Sequence, residues 1–162
     1  LIKYQKGLEP VNLPHEQLNP IIGSTGVKAP SGPIVESVKQ LEKKTPHMTT
    51  TIFASIEQIV EEAIVAIKKG NITKIGYLMN QNQALLKQLG VSSNILDEMI
   101  NAALNAGALG AKLSGAGIGD NMIALSDENK QEAIITALNK TAGQALPECK
   151  IDPQGIILSK EL

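Results

Sequence analysis

Ala111-Lys112-Leu113-Ser114-Gly115-Ala116-Gly117-Ile118-Gly119-Asp120-Asn121-Met122-Ile123-Ala124-Leu125 is the stretch on which the fold turns. Two short apolar runs, Ala108 to Ser114 and Met122 to Leu125, flank a glycine-rich turn, the pattern of two strands in a hairpin. Alternating glycines let backbone amides bunch together and approach a ligand closely, which suits anionic oxygens. The same residues also suit a plain tight turn, and composition alone leaves both readings standing. Two familiar glycine motifs are excluded by context. A dinucleotide fingerprint needs its glycines to open a helix, whereas a strand-like run follows here. A P-loop needs Gly-Lys-Ser/Thr after its glycines, whereas Lys112 precedes them.

Upstream of the hairpin the period changes from two to about 3.6. Ser31 and Pro33 start a helix that carries Ile34, Val35, Val38 and Leu41 to a break at Lys43-Lys44-Thr45-Pro46. Ile52, Ile56, Ile59, Val60, Ala63, Ile64 and Ile67 predict one apolar face of a second helix, ended by Lys68, Lys69 and Gly70. A third is expected from about Ile72 to Leu89, with Asn82 inward among its leucines and Asn80-Gln81-Asn82-Gln83 read as a solvated face rather than a polar cleft. A fourth begins near Ser92 or Ser93 and runs to Gly107. Pro20 to Gly23 reads as a short buried strand preceding them all.

Downstream, Ser126 is expected to cap a helix through about Thr141, and Cys149 to Leu158 to form a last strand. The order is strand, helices, strand, strand, helix, strand. That is the βαββαβ plan of an α+β, ferredoxin-like split βαβ domain with extra helices between the first two strands. Residues 1–162 are read as a single domain, with 1–18 an irregular lead-in.

Composition narrows function. The chain is 43% hydrophobic and 19% charged, neither membrane-like nor disordered, and its formal net charge of −1 gives no footing for nucleic acid. Cys149, His15 and His47 stand apart without ligand spacing, so no metal site is expected. No run approaches a membrane span and the first residues form no signal core, making a cytoplasmic protein the default expectation. A start at Leu1 rather than Met suggests an excised domain, a processed product or a fragment.

The string GALGAKLSGAGIGDNMIAL, Gly107 to Leu125, resembles the third, C-terminal motif of the GHMP superfamily of small-molecule kinases, most closely that of the mevalonate kinases. LMNQNQALLKQLGVSSNILDEMINAA, Leu78 to Ala103, is similar to that family's helix pair before the loop. IIGSTGVKAPSGPIVESV, Ile21 to Val38, looks like its strand, Thr-Gly turn and helix. The resemblance implies transfer of the ATP γ-phosphate, with Mg2+, to a small-molecule hydroxyl such as that of mevalonate. It places the phosphate and substrate loop at Ser114, Gly115, Ala116, Gly117 and Gly119, with Lys112, Asp120 and Thr25 as further candidates. No catalytic residue is assigned, because the family's N-terminal Gly-Leu-Gly-Ser-Ser loop is not in this sequence. The implied partner is therefore an N-terminal GHMP domain, and a homodimer is left open. Ser24 and Asp120 depart from the family pattern, and an added carboxylate beside a phosphate would repel it unless a cation intervened. They motivate the alternative, a stand-alone, non-catalytic binding or regulatory module of the same fold.

Overall fold

Alternation along three pentapeptides builds the sheet. The computed structural model describes residues 20–146, together with Ile2–Lys3, Glu9, Val11–Asn12 and Leu18. Within these, β1 (Ile2–Lys3) and β2 (Val11–Asn12) pair antiparallel as a separate ribbon. The main sheet contains β3 (Pro20–Ser24), β4 (Gly110–Ser114), β5 (Asn121–Leu125) and β6 (Gln144–Ala145). Its order is β4-β5-β3-β6 with every pairing antiparallel. Ile21, Ala111, Leu113, Met122 and Ala124 are all buried and point to one side.

Among the described residues five α-helices accompany the sheet: α1 (Ser31–Lys44), α2 (Pro46–Lys68), α3 (Ile72–Gln88), α4 (Asn94–Asn105) and α5 (Gln131–Leu138). The fold is α+β. Leu96, Met99 and Ala103 of α4 meet Ile134 and Leu138 of α5 and the inward strand residues in one core. Each such leucine, isoleucine or methionine contributes about 1.5–3 kcal/mol by leaving water.

Helix α3 does something different, running beside the outer edge of β4. The backbones approach so closely that a Cβ at Gly76 would overlap the Leu109 carbonyl. Asn80 Nδ2 donates to Leu109 O at 3.2 Å and Asn80 Oδ1 accepts from Ala111 N at 3.0 Å. Gln83 Oε1 accepts from Leu113 N at 2.9 Å. Open strand edges invite aggregation and need a cover, and here two side-chain amides supply it. This corrects the expectation of a solvated Asn80–Gln83 face. Asn80 and Gln83 face the strand, Gln83 rather than Asn82 is the buried residue, and Gln81 is exposed.

Other boundaries also move. Pro46 opens α2, six residues before the first isoleucine of the apolar face, because proline at the first helical position sacrifices no hydrogen bond. Val60, expected inward, is 44% exposed. Ser126 caps nothing: its buried Oγ has no hydrogen-bond partner, and a 3-10 turn at Glu128–Lys130 precedes the shorter α5. The fourth strand of the sheet is β6, while the strand expected at 149–158 lies outside the described residues.

Candidate functional site

β4 and β5 are paired down to Ser114 opposite Asn121, leaving residues 115–120 as the connecting loop. The loop is pinned at two points. Ile118 N donates to Val91 O at 2.8 Å, and Asp120 N donates to Val27 O at 2.7 Å. Thr25, only 5% exposed, closes the second anchor: its amide donates to Asp120 O at 2.8 Å and its Oγ1 reaches the same oxygen at 3.0 Å. Thr25 Oγ1 also accepts from Val27 N at 3.1 Å. Thr25 is thus a brace for the loop, and the sequence signal for it was the Thr-Gly turn itself.

Those anchors hold a conformation the chain would not otherwise keep. Ile118 and Asp120 are non-glycine residues with φ of 65° and 60°. Left-handed backbone costs roughly 1–3 kcal/mol per residue and persists only where the surroundings over-determine it. At Gly117, with φ 97°, a Cβ would overlap the Val91 carbonyl oxygen, so only glycine permits this close approach.

The anchoring consumes the amides of Ile118 and Asp120. Those of Gly115, Ala116, Gly117 and Gly119 have no hydrogen-bond partner among the described residues. Gly115 is exposed and Ala116 half-buried, whereas Gly117 and Gly119 are buried. The sequence-predicted loop therefore divides. Gly115 and Ala116 keep amides without a partner at its more open end, and Gly117 and Gly119 seat the loop on its supports.

Register assembles a polar row that sequence spacing did not reveal. Ser114, Asn121, Ser24 and Gln144 lie side by side across all four strands at the loop end of the sheet. Asn121 and Gln144 were missed because only strand pairing, a non-local fact, brings them together. Lys112 lies one pleat further from the loop on the same face as Ser114. Its Nζ donates to Leu113 O at 2.7 Å, and burial holds its ammonium below the usual lysine pKa range. It is spent on its own strand rather than on the loop. Asp120 is half-buried, with no ion pair among the described residues. Those residues also contain no group of three His, Cys, Asp or Glu able to hold a metal. Beside the loop, Ile34, Val35, Val38, Phe53, Val91 and Ala116 line an apolar groove of about 240 Å³.

A glycine hairpin with open amides, seated by a Thr-Gly turn and a helix pair, defines a class. Residues 63–144 match the family "GHMP kinases C terminal", and the chain belongs to that family. Among individual relatives it is 37% identical to a mevalonate kinase of Pyrococcus furiosus over 147 residues, which are 88% of this chain and 43% of that protein. It is 32% identical to a mevalonate kinase of Aeropyrum pernix, over 90% of this chain and 45% of the relative. The fold superimposes on a crystal structure of L. major mevalonate kinase in complex with R-mevalonate with a TM-score of 0.80. That match has 30% identity and covers 85% of this chain and 43% of that one. The chain thus spans less than half the length of these relatives. Among the described residues no helix is long and apolar enough to cross a membrane.

Proposed function

We propose that residues 1–162 form the C-terminal domain of a mevalonate-kinase-like phosphotransferase, with 1–18 as its lead-in. It would work with an N-terminal GHMP domain, in the cytoplasm, on mevalonate or a similar small-molecule alcohol. The sheet order β4-β5-β3-β6, antiparallel throughout, supports a ferredoxin-like split βαβ reading of the domain.

The observation that carries the proposal is the pair of amides at the exposed Gly115 and half-buried Ala116, without a partner among the described residues, on an anchored loop. In the reaction the acceptor hydroxyl oxygen forms a bond to the γ-phosphorus of ATP while the bond to the β–γ bridging oxygen breaks, releasing ADP. Phosphoryl transfer depends on positioning and on neutralising charge over the equatorial oxygens. Two fixed N–H groups supply part of that without reorganising at the moment of transfer. The hydroxyl proton goes to a base outside these residues. Ser114 and Asn121, with no side-chain partner among the described residues, would meet the polar groups of the acceptor.

Magnesium fits the described residues poorly on their own, since Asp120 is the loop's lone carboxylate; the ion's ligands would come from the nucleotide and the N-terminal domain. The exposed apolar side chains Val27, Val35, Phe53 and Ile118 around the loop support a docking face for that domain. Mevalonate-dependent release of ADP by the intact polypeptide tests the proposal. Turnover with Gly115→Ala strongly impaired is expected. ATP binding without turnover of any small alcohol would replace it with the non-catalytic module, which the Asp120 carboxylate, without an ion pair among the described residues, favours.

A further inference from the structure

A chain of side-chain hydrogen bonds runs from the protein surface to the base of the glycine loop. Leu113 N, one residue before Ser114, donates to Gln83 Oε1 at 2.9 Å. Gln83 Nε2 donates to Ser92 Oγ at 3.1 Å, and Ser92 Oγ donates to Asp97 Oδ1 at 2.8 Å. Lys87 Nζ closes the chain at the surface, 2.8 Å from Asp97 Oδ2. Every link from Leu113 to Asp97 points the same way, so each bond polarises the next, and the carboxylate at the end is balanced by the lysine. The direction also fixes the Gln83 amide: turned over, it would set an N–H against the Leu113 N–H.

The position of Ser92 gives the chain its use. It follows Val91, whose carbonyl accepts the Ile118 amide and supports Gly117. One network therefore holds both the strand that enters the loop and the turn that anchors its apex. Asn80 is a natural control on the same helix. It bonds Leu109, just before β4, and Ala111 within it, just as Gln83 bonds the strand at Leu113, but Ser92 is linked to Gln83 and not to Asn80. Edge covering alone would need no such link.

We infer that Gln83, Ser92 and Asp97 are positioning residues for the glycine loop, holding the Val91 support and, through it, the strained backbone at Ile118. The inference deepens the kinase reading and rests on it for its catalytic meaning. Its test, however, reads loop geometry directly and so succeeds or fails apart from that reading.

The experiment is amide hydrogen exchange by NMR on the intact polypeptide, comparing Ile118 with Asp120, which is anchored separately on Val27, and with the sheet amides of Met122 and Ala124. Ser92→Ala is expected to speed exchange at Ile118 by about tenfold while leaving Asp120 and the sheet amides within about twofold, the pattern of local opening. Ser92→Thr, which keeps the hydroxyl, should restore protection. Asp97→Asn keeps an acceptor for Ser92 but loses the balanced charge, and is expected to fall between. Asn80→Ala should change loop and sheet amides together. The inference is overturned if Ser92→Ala leaves Ile118 exchange unchanged, or if Asn80→Ala opens the loop as selectively as Ser92→Ala does. Should Ser92→Ala not fold, the same comparison between Asp97→Asn and Asn80→Ala decides it.

Discussion

The two ends of one short loop use the same amino acid for opposite purposes. At Gly115 a Cβ would meet nothing within 4 Å, and the residue is exposed. At Gly117 and Gly119 a Cβ would run into the carbonyl oxygens of Val91 and Val27, and both residues are buried. The outer end leaves its amides without a partner among the described residues. The inner end lets the chain lie directly on its supports. Alternating glycines thus do not mark a uniformly flexible turn, since two of the three seat the loop on its supports.

Substitutions along the loop sharpen or break this contrast. Gly117→Ala combines left-handed strain with overlap against backbone, and is expected to lower unfolding free energy by about 3 kcal/mol in chemical denaturation. Gly119→Ala, 2.6 Å from the Val27 oxygen but without a left-handed φ, should lower it by roughly 2 kcal/mol. Gly115→Ala carries strain alone, at φ 91°, and about 1 kcal/mol of destabilisation is expected. Its main consequence should be weaker nucleotide binding by the intact polypeptide. Equal unfolding effects at Gly115 and Gly117 would erase the contrast.

The smallest effect concerns the strand leading into the loop. Lys112 has its pKa lowered by burial. Between that lowered value and the ordinary lysine value the unfolded chain binds more protons, so stability rises as pH rises through the folded-state pKa. Below it the buried charge is a standing penalty. Lys112→Met should therefore raise the thermal midpoint at neutral pH by roughly 2–4 °C and flatten the alkaline rise. A lower midpoint would mean that the bond to Leu113 O outweighs desolvation.

Periodicity made most of the helices and the hairpin legible, because Leu78, Leu96, Met99 and Ile100 repeat at the spacing of a buried face. The loop residues were legible too, since glycine at alternate positions between apolar runs leaves few backbone solutions. What escaped was set by distant pairing. Asn80 and Gln83 look like a solvated face until β4 is placed beside them. Asn121 and Gln144 join the site only through strand register. Ser126 has the sequence of a cap, yet its hydroxyl is buried without a partner, and nothing in the structure explains it.

The central claim is that these residues supply one wall of a nucleotide site completed by an N-terminal domain. Calorimetric titration of the 162-residue chain with magnesium-ATP tests it most directly. The account predicts no measurable binding by the chain alone, and binding once the N-terminal half is present. Tight, saturable binding by residues 1–162 alone would contradict it, placing a complete nucleotide site within this domain.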